Sequence, residues 1–170
     1  MWCTTQLPVA VPGFTHTHTG DHISIPGESI RVSGLNVYRH HMIVVEVVAW
    51  NKVRVIHYSK TATDDRATIT EEECEINPYT DNVYRIDYDP SKSHNGHEAI
   101  DRALDRCDES GYNLLFNNCE SFCTWVKVNK NSSSQAQVGV GMAAAGAAVV
   151  GTVAALSLIV YRVFRSSNNK

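Results

Sequence analysis

No two cysteines of this chain stand in a C-x-x-C pair, so it has neither a zinc ribbon nor a thioredoxin-type redox motif. The five cysteines, Cys3, Cys74, Cys107, Cys119 and Cys123, are odd in number and do not read as a disulfide framework. Glycine and proline are scarce, at 10 and 5 of 170 residues, which excludes collagen-like and low-complexity chains. Met1 to Ala10 has neither a basic stretch nor a long apolar run, so no signal peptide is expected. Free thiols without a secretory signal point to a reducing compartment. Excess positive charge is missing too. The chain has 15 Lys+Arg against 18 Asp+Glu, which argues against nucleic acid as a partner. Arg162, Arg165 and Lys170 follow residue 137, so the first 137 residues hold 12 basic and 18 acidic groups, a net of −6.

One absence is local. Val138 to Val160 is 23 residues without a charge. At about 1.5 Å per residue such a helix crosses a bilayer core of about 30 Å. Tyr161 and Arg162 follow it, as interfacial residues should. We expect a transmembrane anchor over 138–163 and a basic tail over 164–170; the alternative is an Ala-rich helix of a soluble core. Gly141 with Ala145, and Ala147 with Gly151, have the spacing for close helix approach, a weak signal for a dimer. The basic tail favours a cytoplasmic C-terminus, whereas the free thiols favour a cytoplasmic domain on a single-pass anchor, and the second argument is preferred. Occupancy of the sequon Asn131-Ser132-Ser133 would reverse that choice.

Residues 1–19 show no sustained period and read as a loose arm. Order is expected from Gly20, with a turn at Pro26-Gly27-Glu28-Ser29. Tyr38 to Ala49 and Val53 to Ser59 are rich in β-branched residues and predict two strands joined tightly at Asn51-Lys52. Glu71 to Ile76 and Asn82 to Tyr88 are further strand candidates. Asn95 with Glu98 has capping-box spacing ahead of Ile100, Ala103, Leu104 and Cys107, and Gly111 stops that helix. Asn117 with Glu120 repeats the pattern ahead of Phe122, Trp125 and Val126. Residues 131–137 are a polar linker. The ordered domain, residues 20–130, is therefore α+β, without internal repeats.

Cys119 carries the candidate chemistry. Behind an Asn117 cap it would lie in the first helical turn, where free N–H groups and the helix dipole favour a thiolate. An ordinary thiol, with pKa about 8.5, is only a few per cent ionised at neutral pH, so a histidine base would add to this. The alternative is a small buried apolar residue. Cys123 lies one turn deeper. In the first strand, alternation puts Tyr38, His40, Met42 and Val44 on one face and Arg39, His41, Ile43 and Val45 on the other. The first set makes the better core face, so His40 is expected toward packed helices and His41 toward solvent. A hairpin brings His57 beside His40, where a second ring fixes the first one's tautomer. The alternative is two hydrogen-bonded core histidines. A one-residue slip would exchange His40 and His41.

In this order, Gly20-Asp21-His22-Ile23, Tyr38-Arg39-His40, His57 and Tyr112-Asn113-Leu114-Leu115-Phe116-Asn117-Asn118-Cys119-Glu120-Ser121-Phe122 resemble the LRAT-domain proteins, which include lecithin:retinol acyltransferase and the small phospholipase A/acyltransferases. The resemblance spans residues 20–163. It implies a permuted papain-like (NlpC-type) domain, an antiparallel sheet packed on helices, with a C-terminal membrane anchor. By position it makes Cys119 the nucleophile, His40 the general base and His57 the third polar member. The reaction it implies is cleavage of a phospholipid acyl ester at the sn-1 or sn-2 position through a Cys119 thioester. The acyl group then passes to water, an amine or a lysolipid. No cofactor and no metal is implied. The chain departs from the pattern at His22, where an aliphatic residue is usual, at His41, where Trp is usual, and at Ser121, where His is usual.

Two rivals stand beside this reading. Permuted-papain isopeptidases of ubiquitin-like modifiers share a Tyr-Asn-Leu-Phe and Asn-Cys helix start. A catalytically silent membrane-tethered module would bury Cys119 away from both His40 and His41. Zinc at His16, His18 and His22 has a suitable H-x-H spacing but only Asp21 as a neighbouring carboxylate, so a solvated arm is the default. Glu71-Glu72-Glu73 with Glu75 reads as a solvated strand edge.

Overall fold

The computed structural model describes residues 8–10, 14–27, 31–32, 35–36, 38–61, 64–113 and 117–134. The expected anchor at 138–163 and tail at 164–170 lie outside these residues. Among the described residues no helix is long and apolar enough to cross a membrane.

The architecture is α+β. Among the described residues, eight strands, β1 (Pro8–Ala10), β2 (His22–Pro26), β3 (Arg31–Val32), β4 (Leu35–Asn36), β5 (Arg39–Ala49), β6 (Lys52–Thr61), β7 (Asp64–Glu75) and β8 (Tyr84–Ile86), precede two helices, α1 (His97–Leu104) and α2 (Cys119–Val128). Six strands form one antiparallel sheet in the order β1-β8-β2-β5-β6-β7, and β3 with β4 forms a separate hairpin. The β5–β6 hairpin turns at Trp50-Asn51, one residue earlier than expected. β7 is far longer than the expected Glu71 to Ile76, because its Thr- and Ala-containing first half pairs with β6 along its whole length.

Both faces of the sheet are covered. On one, Ile43, Ile56, Tyr58, Ala67 and Ile69 pack against Ala99, Ile100 and Ala103 of α1 and Cys119, Phe122, Cys123 and Val126 of α2. On the other, Ile23, Met42, Val44, Val53 and Val55 pack with Phe14, Ile76 and Val83 from the connecting segments. Phe14 brings the stretch before Gly20 into this second core, so residues 1–19 are not all loose arm. The expectation that Met42 and Val44 meet the helices is thereby corrected: the helices take the Ile43 face. Met42-Ile43-Val44-Val45 is a continuous apolar run, as in a strand buried on both sides, and alternation cannot tell which face meets which layer.

Two local details differ from the capping patterns read in the sequence. α1 starts after Gly96 with no side-chain cap, and it ends at Leu104 rather than running to Gly111. Asn95 is occupied elsewhere: its Oδ1 accepts from the Lys127 ammonium at 2.9 Å. Gly20 explains the Gly-Asp start of the ordered chain. Its φ is +80°, and a Cβ there would lie 2.5 Å from the Gly96 carbonyl oxygen, so only glycine fits this backbone crossing. The Lys127 ammonium also donates to the Gly20 carbonyl at 2.9 Å, tying α2 to the entry of β2.

Candidate active site

Cys119 is the first residue of α2. The cap is Asn118, not Asn117. Its Oδ1 accepts the Ser121 N–H at 2.9 Å, and the Asn118 N–H donates to Ser121 Oγ at 2.9 Å. The capping box is thus Asn118 with Ser121, and Ser121 has a structural use at the position where the family pattern has His. Asn117 is held one step earlier, bonded by its backbone to Asn113.

The Cys119 sulfur has no solvent exposure. The Tyr38 hydroxyl lies 3.1 Å from it and 2.9 Å from the Tyr112 hydroxyl. The thiol also donates to the Arg39 carbonyl at 3.8 Å. Burial pushes the thiol pKa up. The Tyr38 hydroxyl and the backbone N–H groups of His41 and Glu120 pull it back without cancelling the rise. Position at a helix start alone therefore does not make a thiolate here, because desolvation outweighs the favourable dipoles. No imidazole hydrogen-bonds to the sulfur among the described residues. Cys123, one turn on, is fully buried in the helix-side core, and burial holds its thiol well above the ordinary value.

The histidines form two separate networks. His40 Nε2 lies 2.6 Å from His57 Nδ1, and His57 Nε2 lies 2.6 Å from Glu72 Oε1. The structure thus brings the two predicted rings together. Their strand neighbours Met42, Val53 and Val55 belong to the core away from the helices, so this network sits on the sheet face opposite α2. Burial pushes His40 down to about 3, with His57 and His41 adding to it and Glu72 opposing. Burial also lowers His57, against the pull of Glu72. For Glu72, burial works against ionisation, but hydrogen bonds from Ser59 and His57 prevail and hold the carboxyl below its ordinary value.

The second network is on the α2 side. The β2–β5 register pairs His22 with Ile43 and Ser24 with His41, so all four share the face that meets the helices. His41 is 5% exposed, where solvent was expected. Its Nδ1 lies 2.8 Å from His22 Nε2, and His22 Nδ1 lies 2.7 Å from the Tyr88 hydroxyl. Burial pushes His41 down to about 4, with Glu120 opposing and Arg39 assisting. His22 is held well below the ordinary value by burial, then by His41 and Lys127.

Glu72, His22, Tyr88 and Tyr38 are the site residues that reading the sequence did not assign. Alternation carried a signal for Glu72. It points to the face opposite Glu71 and Glu73, which pair with Arg54 and Lys52 outside. Both His22 ring nitrogens are engaged, so a zinc site with His16 and His18 has lost a ligand. His57, Glu72 and Cys74 each present one donor atom within 4.8 Å of the others, a geometry with room for a metal ion.

The family model described as lecithin retinol acyltransferase matches residues 15–132. No curated protein and no solved structure gives a significant match to the chain.

Proposed function

Because this chain belongs to the lecithin retinol acyltransferase family, we propose that it is a thiol-dependent acyl-transfer enzyme of the acyltransferase and phospholipase type, with Cys119 as its nucleophile. The observation that supports this most is the seat of Cys119 as first residue of α2, behind a closed capping box and against the histidine-bearing strand β5. The proposed donor is a glycerophospholipid, cleaved at sn-1 or sn-2. The thiolate attacks the ester carbonyl, the bond to the glycerol oxygen breaks, and the lysolipid leaves with a proton returned by the base. Water, an amine or a second lysolipid then takes the acyl group from the thioester. Free N–H groups in the first turn of α2 would stabilise the oxyanion, an effect of about 3 kcal/mol per donor. Cys119 has no exposed surface, so the ester reaches it only once the side chains that cover it move. The family pattern gives the base to His40 and its partner to His57. The sheet with its histidines before the Cys helix agrees with a permuted papain-like order, and the uncharged stretch 138–160 supports a membrane anchor.

One observation favours a second reading. The sulfur is buried and among the described residues pairs with no imidazole, as in a catalytically silent tethered module. Phosphatidylcholine vesicles separate the two, with lipid analysis in the presence and absence of an amine acceptor. The full chain should release lysolipid and either fatty acid or acylated amine, and Cys119→Ser should lose at least a thousandfold while Cys123→Ser keeps its activity. A wild-type chain inert toward every acceptor would support the silent module.

A further inference from the structure

We propose that His57, Glu72 and Cys74 form a zinc site on the sheet face opposite α2, and that zinc held there silences the His40 base. The second half rests on the thiol acyl-transfer reading; the first does not. Strand geometry supplies the donor set. In the β6–β7 register Thr70 lies opposite His57, Glu72 opposite Val55 and Cys74 opposite Val53. Residues two apart on a strand share a face, so Thr70, Glu72 and Cys74 stand in one row beside His57, on the side where Val53 and Val55 are packed. One imidazole nitrogen, one carboxylate oxygen and one thiol sulfur then lie within 4.8 Å of one another. The ligands of a tetrahedral zinc lie about 3.3–3.6 Å apart, given metal–ligand distances of about 2.0–2.3 Å. His57 Nε2 and Glu72 Oε1 are 2.6 Å apart and share a proton. Zinc in place of that proton spreads the pair by about 1 Å. The Glu72 side chain, 44% exposed, has room for this and opens a path from solvent. Charge and softness select the metal. A thiolate and a carboxylate carry two negative charges, which a divalent ion cancels, and sulfur with imidazole suits zinc over magnesium or calcium. Glu71 and Glu73 are paired with Arg54 and Lys52, whereas Glu72 accepts hydrogen bonds from His57 and Ser59. The Thr70 hydroxyl in the same row is buried with no hydrogen-bond partner among the described residues. A water on the fourth zinc position is the kind of partner such a group lacks.

The effect on the base follows from the hydrogen-bond chain. An ionised carboxylate only accepts, so at neutral pH Glu72 takes the proton of His57 Nε2–H. His57 Nδ1 is then the acceptor and His40 Nε2 the donor, across 2.6 Å. This tautomer leaves the lone pair of His40 at Nδ1, the form in which the ring takes a proton from a thiol. Zinc binds the lone pair of His57 at Nε2, so the proton of that ring moves to Nδ1 and is donated to His40 Nε2. The His40 proton is thereby driven to Nδ1, and the ring has no lone pair left to act as base. The count balances. Each ring keeps one proton, and the proton released is that of the Cys74 thiol, which binds as thiolate. Cys74 is a ligand alone and takes no part in the acyl transfer.

The test uses the full chain in mild detergent. Cobalt is the spectroscopic probe, since a cobalt–thiolate bond gives a charge-transfer band in the near ultraviolet, and zinc affinity is read by competition with a chromophoric chelator. The wild type should show the band. Cys74→Ser should abolish it, and Cys74→Ser and Glu72→Gln should each weaken zinc binding at least tenfold. Cys107→Ser and Cys119→Ser should keep both signals. If Cys74→Ser fails to fold by circular dichroism, Glu72→Gln, which retains an acceptor for His57, carries the binding test. On phosphatidylcholine vesicles, one equivalent of zinc should slow lysolipid release at least tenfold and a chelator should restore it, whereas Cys74→Ser should keep the basal rate and resist zinc. Absence of the band in the wild type, or a band that survives Cys74→Ser, overturns the site. Zinc bound through Cys74 without slower lysolipid release overturns its action on His40. Zinc binding through Cys74 in a chain inert toward phospholipid supports the site and removes the lipid reading instead.

Discussion

Tyr38 shows how one residue couples backbone geometry to thiol chemistry. Its hydroxyl lies 3.1 Å from the Cys119 sulfur, and burial together with that sulfur holds its own pKa far above the ordinary phenol value. It therefore stays a neutral donor at every working pH. Its ring is seated by Gly27: a Cβ at that position would lie 2.3 Å from the Tyr38 Cδ1. The Gly27 N–H also donates to the Tyr38 carbonyl at 2.9 Å. A hydrogen bond to a charged acceptor contributes about 1.5–3 kcal/mol. Tyr38→Phe should then raise the Cys119 pKa and slow alkylation at pH 7 by about tenfold or more, and Gly27→Ala should do the same by displacing the ring. An unchanged Cys119 titration curve in Tyr38→Phe would remove the hydroxyl from the site. Cys119 itself was legible from its place in an Asn-Cys helix start. Tyr38 was legible only as a family motif position, because nothing in strand alternation predicts the partner of a residue that precedes its strand.

The elements were more legible than their faces. The hairpin of β5 and β6 and both helices follow from β-branched runs and apolar spacing, with boundaries off by a few residues. The caps were off by one at α2, because Asn117 and Asn118 both have the chemistry and only the backbone decides. Which face of β5 meets the helices was not readable, since both faces are apolar and both are covered. That ambiguity is what exchanged the surroundings of His40 and His41. The cap gives an element-scale prediction. Asn118→Ala removes the acceptor for the Ser121 N–H and leaves a buried donor unpaired at the turn that carries Cys119. The expected cost is about 1–2 kcal/mol, read as a lower urea midpoint with an unchanged m-value. Asn118→Asp or Asn118→Ser should recover most of it, as either can cap, whereas an Asn117→Ala change should cost markedly less.

At the scale of the whole molecule, the uncharged stretch and the buried imidazoles each make a claim about the full chain. If residues 138–163 span a bilayer, the full chain should stay with membranes at pH 11, because a continuous apolar run is not released by altering charge. Release into the wash would make 138–160 a helix of a soluble core. The second claim concerns acid. His22, His41 and His57 are buried and His40 is half-buried, and all four are held below the ordinary histidine value, His40 at about 3 and His41 at about 4. The unfolded chain protonates its histidines near pH 6.5. Between that value and the depressed folded ones, the unfolded state binds more protons, so stability rises with pH across this window. It is fully present above about pH 6.5 and is lost as pH falls toward 4. Glu72, held below its ordinary value, adds a loss of the same sign lower down. Lys127 is also lowered by burial, and its contribution has the same sign, being lost as pH falls below the ordinary lysine value. Each fully shifted ring adds up to about 1.4 kcal/mol per pH unit to the slope, so four rings should give a dependence steeper than any single site allows. The measurement is the urea unfolding free energy of the full chain in mild detergent at half-unit steps from pH 7.5 to 4.5. The slope below pH 6 should correspond to more than one proton taken up on unfolding. Joint replacement of His22 by Leu and His41 by Gln should remove about half of it by deleting one of the two networks. A wild-type stability that stays flat from pH 7.5 to 5 would mean that these rings are solvated, and the two-network arrangement of the sheet would fall with it.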